Sequence, residues 1–202
     1  MLKGLSTGIS ISMIVLTAVA SIAAAQTVTE CTGNLAPGNY AALDVPAGAT
    51  CTINNGTVNV ITGGVTVGAR ATFFVPGPPV SSLVITSGSL DSHNANVIEV
   101  TANIHGHVAV VGTTGAVILT DSFIGGTLAV THSNDVSNVV SRNTVGGALY
   151  FQSNQCFNEA NCNTVAANTI GSGLVCTDNT PAPSDLAGGP NIGNKTEQCS
   201  GL

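Results

Sequence analysis

The chain has 202 residues, of which 44% are hydrophobic, 7% charged and 3% aromatic, with a formal net charge of −6. Such length suggests one domain, and an apolar chain so poor in charge is not a disordered one. Four Lys and Arg against ten Asp and Glu argue against nucleic-acid binding, which needs many cations to neutralise phosphates.

Met1-Leu2-Lys3 makes a short basic start, Ile9–Ala20 is apolar, and Ala23-Ala24-Ala25 offers the small residues a secretory peptidase accepts. Residues 1–25 therefore read as a signal peptide cut before Gln26, and losing Lys3 takes the net charge to −7. A membrane anchor would need about 20 apolar residues and usually charged flanks; nothing basic follows Ala25. Glu30 does not suit a lipid-attachment site at Cys31. The expected product is secreted and extracellular, or periplasmic in a bacterium with two membranes. No membrane span is expected after signal removal.

Six cysteines stand at 31, 51, 156, 162, 176 and 199, an even number that suits a disulfide framework in an exported chain. Spacing does not choose among the possible connectivities. The simplest pairs sequence neighbours: Cys31–Cys51, Cys156–Cys162 and Cys176–Cys199. No C-x2-C spacing supports zinc. Residues 26–51 are expected to cap one end, and 52–202 to form the body with a disulfide cap from Cys176 to Leu202.

Within the body a small residue, an aliphatic one, a spacer and a second apolar one recur. The copies are Gly64-Val65-Thr66-Val67, Ser82-Leu83-Val84-Ile85, His107-Val108-Ala109-Val110, Thr127-Leu128-Ala129-Val130, Ala148-Leu149-Tyr150-Phe151 and Gly173-Leu174-Val175-Cys176. Their first apolar positions step by 18, 25, 20, 21 and 25 residues, a solenoid period. Alternation by two calls for strands, and Gly, Asn, Ser and Thr supply corners. Later copies add an aliphatic residue four positions upstream, at Ile124, Val145 and Ile170, with Ile104 as a diverged copy. Asn191-Ile192-Gly193-Asn194 reads as a worn last copy in which Thr196 replaces the aliphatic residue. Ala116–Leu119, Asn138–Val140 and Asn163–Val165 suggest a second strand in each turn. The fold predicted is all-β: a single-stranded right-handed parallel β-helix, a solenoid of about seven turns. Stability is then a sum over neighbouring turns, with both ends capped.

Asn143-Thr144-Val145-Gly146-Gly147-Ala148-Leu149 and Asn168-Thr169-Ile170-Gly171-Ser172-Gly173-Leu174 resemble the repeated segments of secreted right-handed β-helix proteins of the pectin-lyase-like kind. The likeness is to their small exported members. It covers about residues 100–202 well and 52–99 loosely, and it speaks to architecture far more than to activity.

Lyases on this architecture typically hold calcium with clustered acids and use a lysine or arginine as base. Hydrolases need a paired acid and base or nucleophile. Here no D-x-D or D-D pair occurs, and only Arg70, Arg142 and Lys195 remain as cations. Asp91, Glu99, Asp121 and Asp135 are expected in no shared column. The repeat places Asp121 beside Arg142, as a surface ion pair. His105 and His107 are expected on one strand face a turn from Asp121, but a metal wants three or four converging ligands, so no metal or other cofactor is expected. Cys156 and Cys162 bracket an excursion, and loops on a rigid scaffold are where binding tends to sit. Tyr150, Phe157 and Glu159 are the expected contact surface for a polysaccharide or cell-surface partner. The expected function is a non-enzymatic surface, matrix or glycan-contacting module; the alternative, by fold analogy, is a polysaccharide lyase or glycoside hydrolase.

Overall fold

Alternating inward and outward residues in short runs leave each strand unable to bury its apolar side alone, so each must lie on a copy of itself. The computed structural model describes residues 27–78, 81–157, 162–185 and 188–202. Residues 1–25, read above as a signal peptide, lie outside them. Among the described residues there is no helix. The strands are parallel and stack into sheets of nine, seven and six, with a further pair. The chain visits the nine-, six- and seven-stranded sheets in that order, making a β-solenoid of about seven turns.

The interior is a set of aliphatic columns. On the nine-stranded sheet Leu43, Val65, Leu90, Val108, Leu128, Leu149 and Leu174 follow one another in register. Val110, Val130, Phe151 and Cys176 make the neighbouring column. Ile85, Ile104, Ile124, Val145 and Ile170 stack on the seven-stranded sheet. The expected second strand per turn is present as Ala116–Thr120, Ser137–Ser141 and Asn163–Ala166 on the six-stranded sheet. The strands Val28–Glu30, Gly38–Tyr40 and Thr50–Thr52 already belong to the same three sheets, so the coil begins well before residue 52.

Two register expectations are corrected. Leu83 pairs with Ala102 and Ile85 with Ile104 on the seven-stranded sheet, whereas Leu90 is the residue that continues the Val65–Val108 column. Its partner two places on is Ser92, fully buried where other turns carry Val or Phe. A hydroxyl there erases the aliphatic signature, and Leu83-Val84-Ile85 imitates it from another sheet. At the end of the coil Ile192 lies over Thr169, not Ile170, and is 65% exposed. Gly193 lies next in line; a Cβ there would come within 2.8 Å of the Ile170 carbonyl oxygen. The last corner is short, so Lys195 sits over Leu174 and Glu197 over Cys176.

The corners share one device. Asp121, Arg142 and Ala167 adopt φ of 52°, 57° and 54°, and His132, Ser153 and Asp178 adopt 57°, 54° and 56°. One left-handed residue turns the chain, and the next points inward: Ser122, Asn143 and Asn168 at one corner, Ser133, Asn154 and Asn179 at the other, all buried, with Asn191 continuing the first set after Pro190. The asparagines form ladders. Backbone N–H groups of Ser122, Asn143 and Asn168 each donate to Oδ1 of the asparagine one turn on, at 3.0 Å. The side-chain amides of Asn143, Asn168 and Asn191 return to the carbonyls of Leu119, Val140 and Val165, at 2.8, 2.9 and 2.8 Å. The second ladder ends on Gln198, whose Oε1 accepts from Asn179 N at 2.8 Å. Corner amides that would otherwise be buried without partners are thereby satisfied.

The three disulfides are Cys31–Cys51, Cys156–Cys162 and Cys176–Cys199, with Cα separations of 5.3, 6.0 and 5.2 Å. This framework is compatible with an extracellular or secreted protein. Since Glu197 is the register partner of Cys176, Cys199 reaches its mate through a tight turn in which its N–H donates to the Thr196 carbonyl at 3.2 Å. A shortened corner and this turn together bring Cys199 back to Cys176.

Candidate functional site

On each sheet the residues between the core columns form outward rows. Along the nine-stranded sheet the row reads Glu30, Asp44, Thr66, Asp91, Ala109, Ala129, Tyr150, Val175 and Thr196. Its first half is acidic and its second half small or apolar. Glu30 and Asp44 are direct register partners, and Asp91 follows one position beyond Thr66. Asp91 therefore does share a column with other acids, contrary to expectation. Leu43-Asp44-Val45 carries the same alternation as the later copies, and extending the repeat upstream of Val65 finds it.

The three candidate metal ligands have three different partners. His105 and His107 lie in the corner between strands Ala102–Ile104 and Val108–Val111, not on a strand. The His107 ring places Nδ1 2.9 Å from Ser89 Oγ and Nε2 3.8 Å from Asp91 Oδ1. Nδ1 of His105 donates to the Ile85 carbonyl at 3.2 Å, and its ring meets Phe123 edge-on at an interplanar angle of 66°, centroids 6.2 Å apart. Asp121 is held from the next turn by Arg142, whose Nε donates to Oδ1 at 2.8 Å and Nη2 to Oδ2 at 2.6 Å. The guanidinium holds the Asp121 carboxyl below its ordinary range, as the expected ion pair requires. Among the described residues no three His, Cys, Asp or Glu side chains are grouped to hold a metal.

The expected contact surface is divided. Tyr150, 37% exposed, points out from the nine-stranded sheet. Phe157, 72% exposed, lies past the next corner, directly after the short strand Gln155–Cys156. Glu159 lies outside the described residues. The register that pairs Asp135 with Cys156 sets Phe157 beside Val136, itself 58% exposed.

A concave site forms at the corner between the six- and seven-stranded sheets. There Pro78, Ser82, Thr101, Ala102, Asn103, Asp121 and Phe123 line an open groove of about 200 Å³. Its origin is unequal corner length. After strand Thr72–Val75, Pro76 and Pro78 have no N–H to offer a ladder, so the chain swings outward. One turn later a single residue, Thr101, separates strands Val97–Val100 and Ala102–Ile104. The following turn rises again at Asp121 and Phe123. Gly77, at φ 84°, fits because a Cβ there would meet the Thr101 side chain at 2.6 Å. Asn103 is the register partner of Phe123. Phe123 is 43% exposed, and the Asn103 side chain is exposed without a hydrogen bond to the protein among the described residues. Sequence reading passed over both. The available signal was Phe123 itself, an aromatic outward position in a chain with seven Phe and Tyr and no Trp.

No family model, curated protein or solved structure matches this chain.

Proposed function

We propose that this protein is an exported, non-enzymatic β-solenoid module, a cell-surface or matrix structural protein whose outer faces contact glycans. The supporting observation is a stiff interior under plain outer rows. Stacked aliphatic columns hold each turn to the next and two amide ladders reinforce the later turns, while mostly short Thr, Ala, Asn and Val side chains face outward in register. Such a rod is suited to present a surface. The three disulfides and the leader-like residues 1–25 support export. The parallel coil and the Asn-Thr-Val-Gly-Gly-Ala-Leu segment at 143–149 support a place among secreted β-helix proteins of the pectin-lyase-like kind.

The purified protein should be retained on an insoluble polysaccharide. It should release neither reducing ends nor unsaturated products absorbing in the ultraviolet, with or without calcium. Turnover of any polysaccharide overturns the non-enzymatic reading.

One observation favours the second reading, a polysaccharide lyase or hydrolase. Glu30 and Asp44 are register partners on neighbouring strands, and a pair of adjacent carboxyls is what glycoside hydrolysis uses. If turnover is found, Asp44→Asn should abolish it.

A further inference from the structure

The groove between Ser82 and Phe123 combines three kinds of group that complement a sugar ring. Phe123 gives a half-exposed aromatic face with negative quadrupole, which attracts the polarised C–H groups of a pyranose. His105, packed edge-on against it at a centroid distance of 6.2 Å, limits the movement of that ring. Asn103, one strand away and in register, has both amide donors and its carbonyl unused by the protein among the described residues. Asp121 lends each carboxylate oxygen to one N–H of Arg142, leaving further lone pairs for hydroxyl donors. Thr101 and Ser82 add hydroxyls on the floor.

Size and charge narrow the class. A volume of about 200 Å³ is below the roughly 300–1,000 Å³ of pockets for drug-sized ligands, so it holds one ring rather than buries a chain. Asp121 stays ionised because Arg142 keeps its carboxyl below the ordinary range, and the whole chain carries −6. Arg142 neutralises Asp121 locally, so the field that opposes a uronate is that of the chain's net negative charge, whereas a neutral sugar meets none. We infer that this groove is a binding subsite for one neutral pyranose unit of a glycan, stacked on Phe123 and hydrogen-bonded by Asn103 and Asp121. The inference rests on the glycan-contacting reading above and gives it a place and a sugar class.

The test compares the parent with Phe123→Ala, Asn103→Ala and Phe157→Ala on neutral gluco-, manno- and galacto-oligosaccharides and on oligogalacturonate, after thermal melts verify folding. Binding of at least one neutral series is expected, weakened about tenfold by Phe123→Ala, the fold-change of about 1.4 kcal/mol. Asn103→Ala should weaken it as well, and Phe157→Ala should not. Saturation-transfer NMR should place the bound ring against aromatic protons that vanish in Phe123→Ala. Binding unchanged in both groove variants, or lost only in Phe157→Ala, overturns the groove and leaves the surface reading standing. Preference for oligogalacturonate overturns the neutral-sugar assignment. A parent retained on no glycan, soluble or insoluble, overturns both.

Discussion

Asn143 donates twice to a single atom of Asn168: its backbone N–H and its side-chain amide reach Oδ1 at 3.0 and 3.1 Å. Asn168 in turn gives its own amide to the Val140 carbonyl at 2.9 Å and to Asn191 Oδ1 at 2.9 Å. Both residues are fully buried. A corner that bends the backbone away from its strand ladder would strand N–H and C=O groups in the interior, and the asparagine side chain replaces the missing ladder bonds.

Asn168→Ala should therefore cost more than its lost contacts. It leaves the Asn143 N–H and the Val140 carbonyl without partners, at about 1–3 kcal/mol each. Urea unfolding should show a loss of about 2–5 kcal/mol, whereas Thr169→Ala, at an exposed position next door, should be nearly silent. A loss below about 1 kcal/mol would show that water replaces the ladder at no penalty.

The Asp121–Arg142 pair has a defined pH signature. Arg142 keeps the Asp121 carboxyl below its ordinary value and is itself raised, so it stays charged throughout. A depressed carboxylate stabilises the fold fully above its unfolded pKa of about 3.9 and loses that contribution as pH falls through the lower folded value. Both side chains are about half exposed, so the pair contributes at most about 1 kcal/mol. Arg142→Met should lower stability slightly at pH 7, with the gap to the parent closing as the pH falls below the unfolded value of about 3.9. A gap that stays constant into acid would assign the effect to packing or to the φ of 57° at this corner.

The register is tested by a pair of charges. Leu128 is fully buried between Val108 and Leu149, and Leu128→Asp places a lone carboxylate in that column, at about 3–5 kcal/mol or more. The variant should be insoluble or unfolded by circular dichroism. Ile192→Asp should stay folded and melt within a few degrees of the parent, because Ile192 faces out. Reading the repeat from sequence alone makes Ile192 a core residue and anticipates the opposite, so the second variant separates the two registers.

Much was legible in the amino-acid order itself. The period, the alternation by two and the lack of a helical pattern determined a parallel solenoid. Three aliphatic columns through Val108, Val110 and Ile104 follow because identical inward positions must stack. The Asp121–Arg142 neighbourhood follows from the same spacing logic, whereas the pairs Cys31–Cys51, Cys156–Cys162 and Cys176–Cys199 were only the simplest of the connectivities that spacing left open. Tertiary structure alone decided the rest. Ser92 holds a fully buried core position without looking apolar, because neighbours on adjacent turns supply the burial, and Lys195 takes the register position over Leu174 while staying partly exposed. Glu30 meets Asp44 only because the first turn is short, at 14 residues, whereas Asn103 meets Phe123 through the same register that stacks Ile104 on Ile124. A solenoid's sequence states its period; its surface is set by how each corner departs from that period.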